Sequence, residues 1–289
     1  MEHFFYAAGL VIFSTLTVIN SASAAEQKSS MATEAADGKK QDTRPLSAFF
    51  GLDNDLPFIA NAFCFGASGL DGMPVVLSHT VDPDALEPAQ FQIITRSGDT
   101  RTPKCVTLRP AYDSGERRTV LLIGEFGDAL DDPPMLVQIV GDLFSDGIPP
   151  VNFKGTETQV TPLDAGPSLV LAEIVPESEW EQRRSGTACP EGIQQIVRVT
   201  WDGGIKLPNG DEPGDAERGL YRVQVQRADG SVDKTYPVAL AELGDGDNNH
   251  FLCLKTADPV IAVSFPAGHL VDPNSDLNPA THIMIGKSQ

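Results

Sequence analysis

The chain carries 26 glycines and 22 prolines spread over 289 residues, which leaves few uninterrupted stretches long enough for an ordinary helix of about 11 residues. Between these breaks lie short runs rich in β-branched, aromatic and aliphatic residues. In the first half they fall at 58–65, 74–78, 91–95, 105–108, 119–124, 136–140 and 157–161. A spacing of about 8 to 16 residues, with turn residues between, is the pattern of a β-sandwich. In the second half the alternation is cleaner. Val197, Val199 and Trp201 fall on one face against Arg198 and Thr200, and Tyr221, Val223 and Val225 alternate with Arg222, Gln224 and Gln226. Asp229-Gly230 then supplies a hairpin turn. One short helix is expected from Ser178, with Glu181 completing a capping box. The fold class that follows is all-β, with two antiparallel sandwiches at 51–165 and 166–289, divided near the Pro/Gly cluster that runs from Pro162 to Pro167. A body of about 240 residues is larger than one core usually serves.

The N-terminus reads as an export signal. An apolar run at 4–19 gives way to Asn20-Ser21-Ala22-Ser23-Ala24-Ala25, a small-residue cleavage site that makes 1–25 a signal peptide. The run is shorter than the roughly 20 residues that span a bilayer. The mature chain is therefore expected to have no membrane span and to be secreted or periplasmic. Residues 26–50 begin as a polar stretch without apolar period and read as a disordered linker. Four cysteines in an exported chain point to two disulfides, and the pairing that respects a two-domain split is Cys64 with Cys105 and Cys189 with Cys253. A formal net charge of −19 repels nucleic acid and anionic lipid. It leaves a protein or a cation as the expected partner.

One stretch resembles a known family. Pro74-Val75-Val76-Leu77-Ser78-His79-Thr80-Val81-Asp82-Pro83, followed by Leu86, Phe91 and Ile93 and closed by Val137-Gln138-Ile139-Val140-Gly141-Asp142-Leu143, resembles the bacterial Ig-like modules of surface-layer and other secreted proteins. The likeness covers residues 70–150. It implies a sandwich fold and a role as spacer or binding module, and it brings no catalytic residues. His79 stands where such modules often carry an acidic residue.

The residues with most chemistry are acidic loops of the second half. Asp245, Asp247, Asn248 and Asn249 alternate on a glycine-relaxed backbone, and Asp272, Asn274 and Asp276 repeat the pattern. Short oxygen side chains so spaced suit calcium (Ca²⁺), which takes 6 to 8 oxygen ligands at about 2.4 Å. The second loop is not an EF-hand, because Leu277 occupies the glycine position and Ile283 the bidentate glutamate position. Asp, Asn and Gly are also what turns demand without any ligand. A third acidic loop runs through Asp211, Glu212, Asp215 and Glu217, and a further cluster at Glu125, Asp128, Asp131 and Asp132 reads as a solvated loop. No nucleophile elbow, H-E-x-x-H or phosphate loop is present. The expected function is thus a non-enzymatic exported binding or structural protein, with Ca²⁺ as stabiliser. The alternatives are a cation carrier and a metal-dependent hydrolase built from Asp202, Asp211, Asp245, Asp247 and His250.

Overall fold

The strands that emerge from this sequence are short, and several are buried on both faces rather than one. The computed structural model describes residues 1, 43–113, 115–180 and 188–286. The signal peptide, the linker up to residue 42 and the Glu181 end of the expected helix lie outside the described residues. The protein is all-β, with 38% of residues in strands and 8% in helical turns. Among the described residues every helical element is a short 3₁₀ turn.

In the first half β1 (Pro45–Phe49), β2 (Asp71–Leu77), β3 (Phe91–Thr95), β4 (Thr100–Arg101), β5 (Cys105–Thr107), β6 (Thr119–Gly124), β7 (Pro134–Ile139) and β8 (Glu157–Thr161) form one sheet in the order β4-β3-β7-β8-β1-β2-β6-β5. All its pairings are antiparallel except β1 with β8. Met73, Val75, Val120 and Leu122 from one wing meet Phe91, Ile93, Val137 and Ile139 from the other in a single core. The second half holds β9 (Leu169–Ile174), β10 (Gln195–Trp201), β11 (Arg222–Gln226), β12 (Val232–Thr235), β13 (Ala239–Ala241), β14 (Asn249–Leu254), β15 (Val260–Phe265) and β16 (Thr281–Met284). These make two four-stranded sheets, β13-β14-β10-β9 and β12-β11-β15-β16. Trp201, Tyr221, Val223, Leu252 and Phe265 fill the core between them.

Each half also covers the outer face of one sheet with a loop, and a disulfide ties that loop down. Leu56, Ala60, Cys64 and Ala67 pack on Ile123, and Cys64 is bonded to Cys105. Val175, Ile196, Phe251 and Cys253 are covered likewise by the segment carrying Trp180 and Cys189, with Cys189 bonded to Cys253. Double-sided burial is why Thr119–Gly124 reads as a continuous apolar run instead of an alternation. Closing loops of 41 and 64 residues, each bridge is worth about 2 to 4 kcal/mol.

Two expectations need correction. Residues 58–65 are not a strand. Pro57 opens a 3₁₀ turn over Phe58–Ala62, and Asn61 Oδ1 accepts from the backbone of Ala67 and Ser68 to reverse the chain. Only Ala60 and Cys64, four residues apart, face inward, so Phe58 and Phe65 stand 81% and 92% exposed. Nor does the linker extend to residue 50. Pro45–Phe49 is β1, held by β2 on one side and by β8 on the other.

No strand pairing crosses from one half to the other among the described residues. Buried charges do. Arg198 on β10 lies directly across from Glu173 on β9, and its Nε and Nη2 donate to Glu173 Oε1 at 3.0 and 2.6 Å. Arg118, from the start of β6, donates to Glu173 Oε2 at 3.1 Å and to the Ser78 carbonyl at 3.0 Å. The side chains of Arg118, Arg198 and Glu173 are 8%, 4% and 13% exposed. Removing the one anion strands two buried guanidiniums. Glu173→Gln, which preserves volume, is expected to lower unfolding stability by about 3 to 5 kcal/mol in urea titrations, and a loss under about 1 kcal/mol would contradict this role.

Candidate functional site: an acidic junction

The acidic loops of the second half gather at one end. Register places the end of β10 beside the start of β9 (Trp201 with Leu169), the start of β14 beside the end of β10 (Asn249 with Thr200), and the start of β16 beside the end of β15 (Thr281 with Phe265). Leu169 N donates to Thr281 Oγ1 at 3.1 Å, so both sheets present the same end. Loops 202–221, 242–248 and 266–280 all leave from there. This is also the end where the first half sits. A Cβ built on Gly203 would lie 2.8 Å from the Phe49 ring, and one on Gly115 would collide with Arg198 Nη1. Gly115 has φ +88°, so both space and backbone require glycine.

Gly115 delivers Glu116 into this junction. Its side chain is 2% exposed and faces Asp245 and Asp247, and ligand oxygens of the three residues lie within 4.8 Å of one another. Positive φ at Gly244 and Gly246 curls the 242–248 loop so that both aspartates point the same way. Asp247 is then fixed, with Oδ1 accepting from Asn249 N at 2.7 Å and Oδ2 from Asn249 Nδ2 at 3.0 Å. Thr200 Oγ1 in turn donates to Asn249 Oδ1 at 2.7 Å.

Burial dominates the electrostatics. Desolvation first, then the charges of Asp247, Glu242 and Asp245 push Glu116 up to about 9, against the opposing pull of Arg198. Desolvation and Asp245 push Asp247 up to about 7, while hydrogen bonds from Asn249 and from Glu116 pull it down. Burial and mutual repulsion raise both acids, and Glu116, the more strongly raised, is the one that favours holding a proton. Asp245, raised by desolvation and by its neighbours Asp113 and Glu212, completes a pocket of negative potential. Three oxygen donors at this spacing are suited to a hard cation, which would displace the Glu116 proton.

Of the residues expected to bind metal, the structure brings Asp245 and Asp247 together. Asn249 serves as the clamp on Asp247, and Asn248 Nδ2 donates to the Trp201 carbonyl at 2.5 Å. Asp272, Asn274 and Asp276 form a separate turn, in which Asp272 Oδ1 accepts from Asp276 N and Asn274 Nδ2 donates to Asp276 Oδ2. Glu116 had no signal in the sequence, because Gly115-Glu116-Arg117-Arg118 reads as a solvated turn and its partners lie far along the chain. Of the five residues of the hydrolase alternative, Asp245 and Asp247 come together, whereas His250, Asp211 and Asp202 are engaged elsewhere. His250 sits on the opposite face of β14 from Asn249, its Nδ1 2.7 Å from Tyr221 Oη, and burial lowers it to about 4, which keeps the imidazole neutral. Asp211 pairs with Asn209, and Asp202 with the backbone of Ser168. The 125–132 cluster is an exposed turn where Asp128 accepts from Leu130 N and Asp131 N.

No protein-family model matches this chain, and no curated protein is significantly similar to it.

Because Glu116 and Asp247 titrate higher folded than unfolded, the native state holds extra protons between the ordinary carboxylate range near 4 and about 9. Stability in chelator is expected to fall as pH rises through that window, by up to about 1.4 kcal/mol per pH unit for each such proton. Glu116→Gln should flatten the slope in unfolding titrations at pH 5 to 8, and an unchanged slope would contradict the assignment.

Proposed function

We propose that this chain is an exported, non-enzymatic binding or structural protein made of two Ig-like β-sandwiches, whose junction is locked by a Ca²⁺-class cation held between Glu116 of the first and Asp245 and Asp247 of the second. Two separate cores support the two-sandwich reading, as do disulfides that each stay within one half. Among the described residues no helix is long and apolar enough to cross a membrane. Two disulfides, together with the N-terminal run read as an export signal, support a life outside the cytoplasm.

The observation that carries the reading is the convergence of three carboxylates from two halves that share no strand. Two of them are nearly buried, and the Arg198 charge beside them is already bonded to Glu173. A divalent cation neutralises the cluster and joins the halves at once. With the cation bound the pair of sandwiches is a stiff spacer, and without it the junction keeps the ion pairs of Arg118 and Arg198 with Glu173 and the packing of Phe49 on Gly203.

Titration of Ca²⁺ into chelator-treated protein should give a binding heat and raise the melting temperature. At one hundred times Kd the gain is about 2.7 kcal/mol. Uptake should release a proton near neutrality, read as a binding heat that varies with the ionisation enthalpy of the buffer. Glu116→Gln should abolish most of the shift. No heat and no shift in the wild-type protein would overturn the proposal.

A further inference from the structure

Two further carboxylates of the second half are buried. Asp202 follows β10 and Asp272 opens the 272–276 turn, and they are 4% and 2% exposed. Their segments run side by side. Lys206 and Val271 exchange backbone hydrogen bonds at 2.8 Å, and a Cβ on Gly204 would lie 3.6 Å from Pro273 Cγ. Asp202 is held rigidly, with Oδ1 accepting from Ser168 N at 2.7 Å while its own N donates to Ser168 O at 2.9 Å. Asp272 Oδ1 accepts from Asp276 N at 2.8 Å, but Asp272 Oδ2 is buried and meets no hydrogen-bond donor.

A buried carboxylate oxygen without a donor is rare in folded proteins, and it points to a group that is not part of the chain. The two buried acids lie on these neighbouring segments, and among the described residues neither has a cationic side chain in ion-pair contact. A water would satisfy Oδ2 and leave the like charges uncompensated. A hard cation does both. We propose that Asp202 and Asp272 hold a second, enclosed Ca²⁺-class cation that fastens the 266–280 loop to the end of β10. Consistent with this, desolvation raises Asp202 to about 7, with the Asp272 charge adding to it, and Asp272 to about 6. The proposal does not rest on the junction site.

The two sites differ in access, which separates their tests. The enclosed cation should exchange slowly and survive brief chelation, whereas the junction cation, beside the half-exposed Asp245, should not. Elemental analysis of the full mature chain, loaded with Ca²⁺ and desalted through chelator, is expected to find about one retained equivalent. Glu116→Gln should retain it, and Asp272→Asn and Asp202→Asn should lose it. If those variants fail to fold, wild-type protein unfolded in chelator and refolded with or without Ca²⁺ decides the matter. Recovery of the chelator-resistant equivalent only on refolding with Ca²⁺ supports the site. A wild-type chain that retains no Ca²⁺, or an Asp272→Asn variant that keeps it, overturns it.

Discussion

Arg118, Glu173 and Arg198 tie together two halves of the chain that share no strand pairing, and much of the molecule is arranged around keeping those charges dry. Arg198 lies on the outer face of its sheet, over the Phe251 ring at 5.7 Å, where alternation would ordinarily put a side chain in water. It is buried because the first half covers it. Withdrawing guanidiniums from water is costly unless every partner is in place. Glu173 must therefore bridge both arginines, Ser78 must offer its carbonyl, and Gly115 must be glycine to let Arg198 through. Glu116 follows from that last constraint. The turn that admits Arg198 carries the next residue into the acidic loop, so the ionic clamp and the cation pocket are two parts of one junction.

The outer faces explain a second feature. Each half has a sheet whose inner face meets the main core and whose outer face is roofed by a loop under a disulfide. Such strands lose the polar face that would mark them as half-buried. They become continuous apolar runs, and β14 is buried along its whole length. The roof of the first half turns its remaining apolar side chains outward, which is how a segment as apolar as 58–65 ends exposed.

Much of the architecture was legible in the sequence where the deciding forces are local. Glycine and proline spacing together with β-type runs locate most strands of the first half, with β3, β6 and β8 matching their expected bounds. The turn at Asp229-Gly230 closes the β11–β12 hairpin, with Gly230 at φ +84°. Cysteine spacing suffices for the bridges because each stays within its half. What was not legible depends on distant parts of the chain. Pro45–Phe49 is a strand because β2 and β8 pair with it on either side, and a single five-residue run behind a polar stretch is too short to show a period. The 58–65 run has strand composition, but a proline and Asn61 turn it. At the site, glycine and aspartate alternation marks the 242–248 loop, whereas Glu116 is brought there by the fold.

The central claim is that a cation bridges Glu116 to Asp245 and Asp247. Anomalous diffraction from crystals grown with Ca²⁺ tests it most directly. A peak about 2.3 to 2.6 Å from carboxylate oxygens of all three residues is the predicted result. A junction with no peak, and with Glu116 still hydrogen-bonded to Asp247 at saturating Ca²⁺, would contradict it.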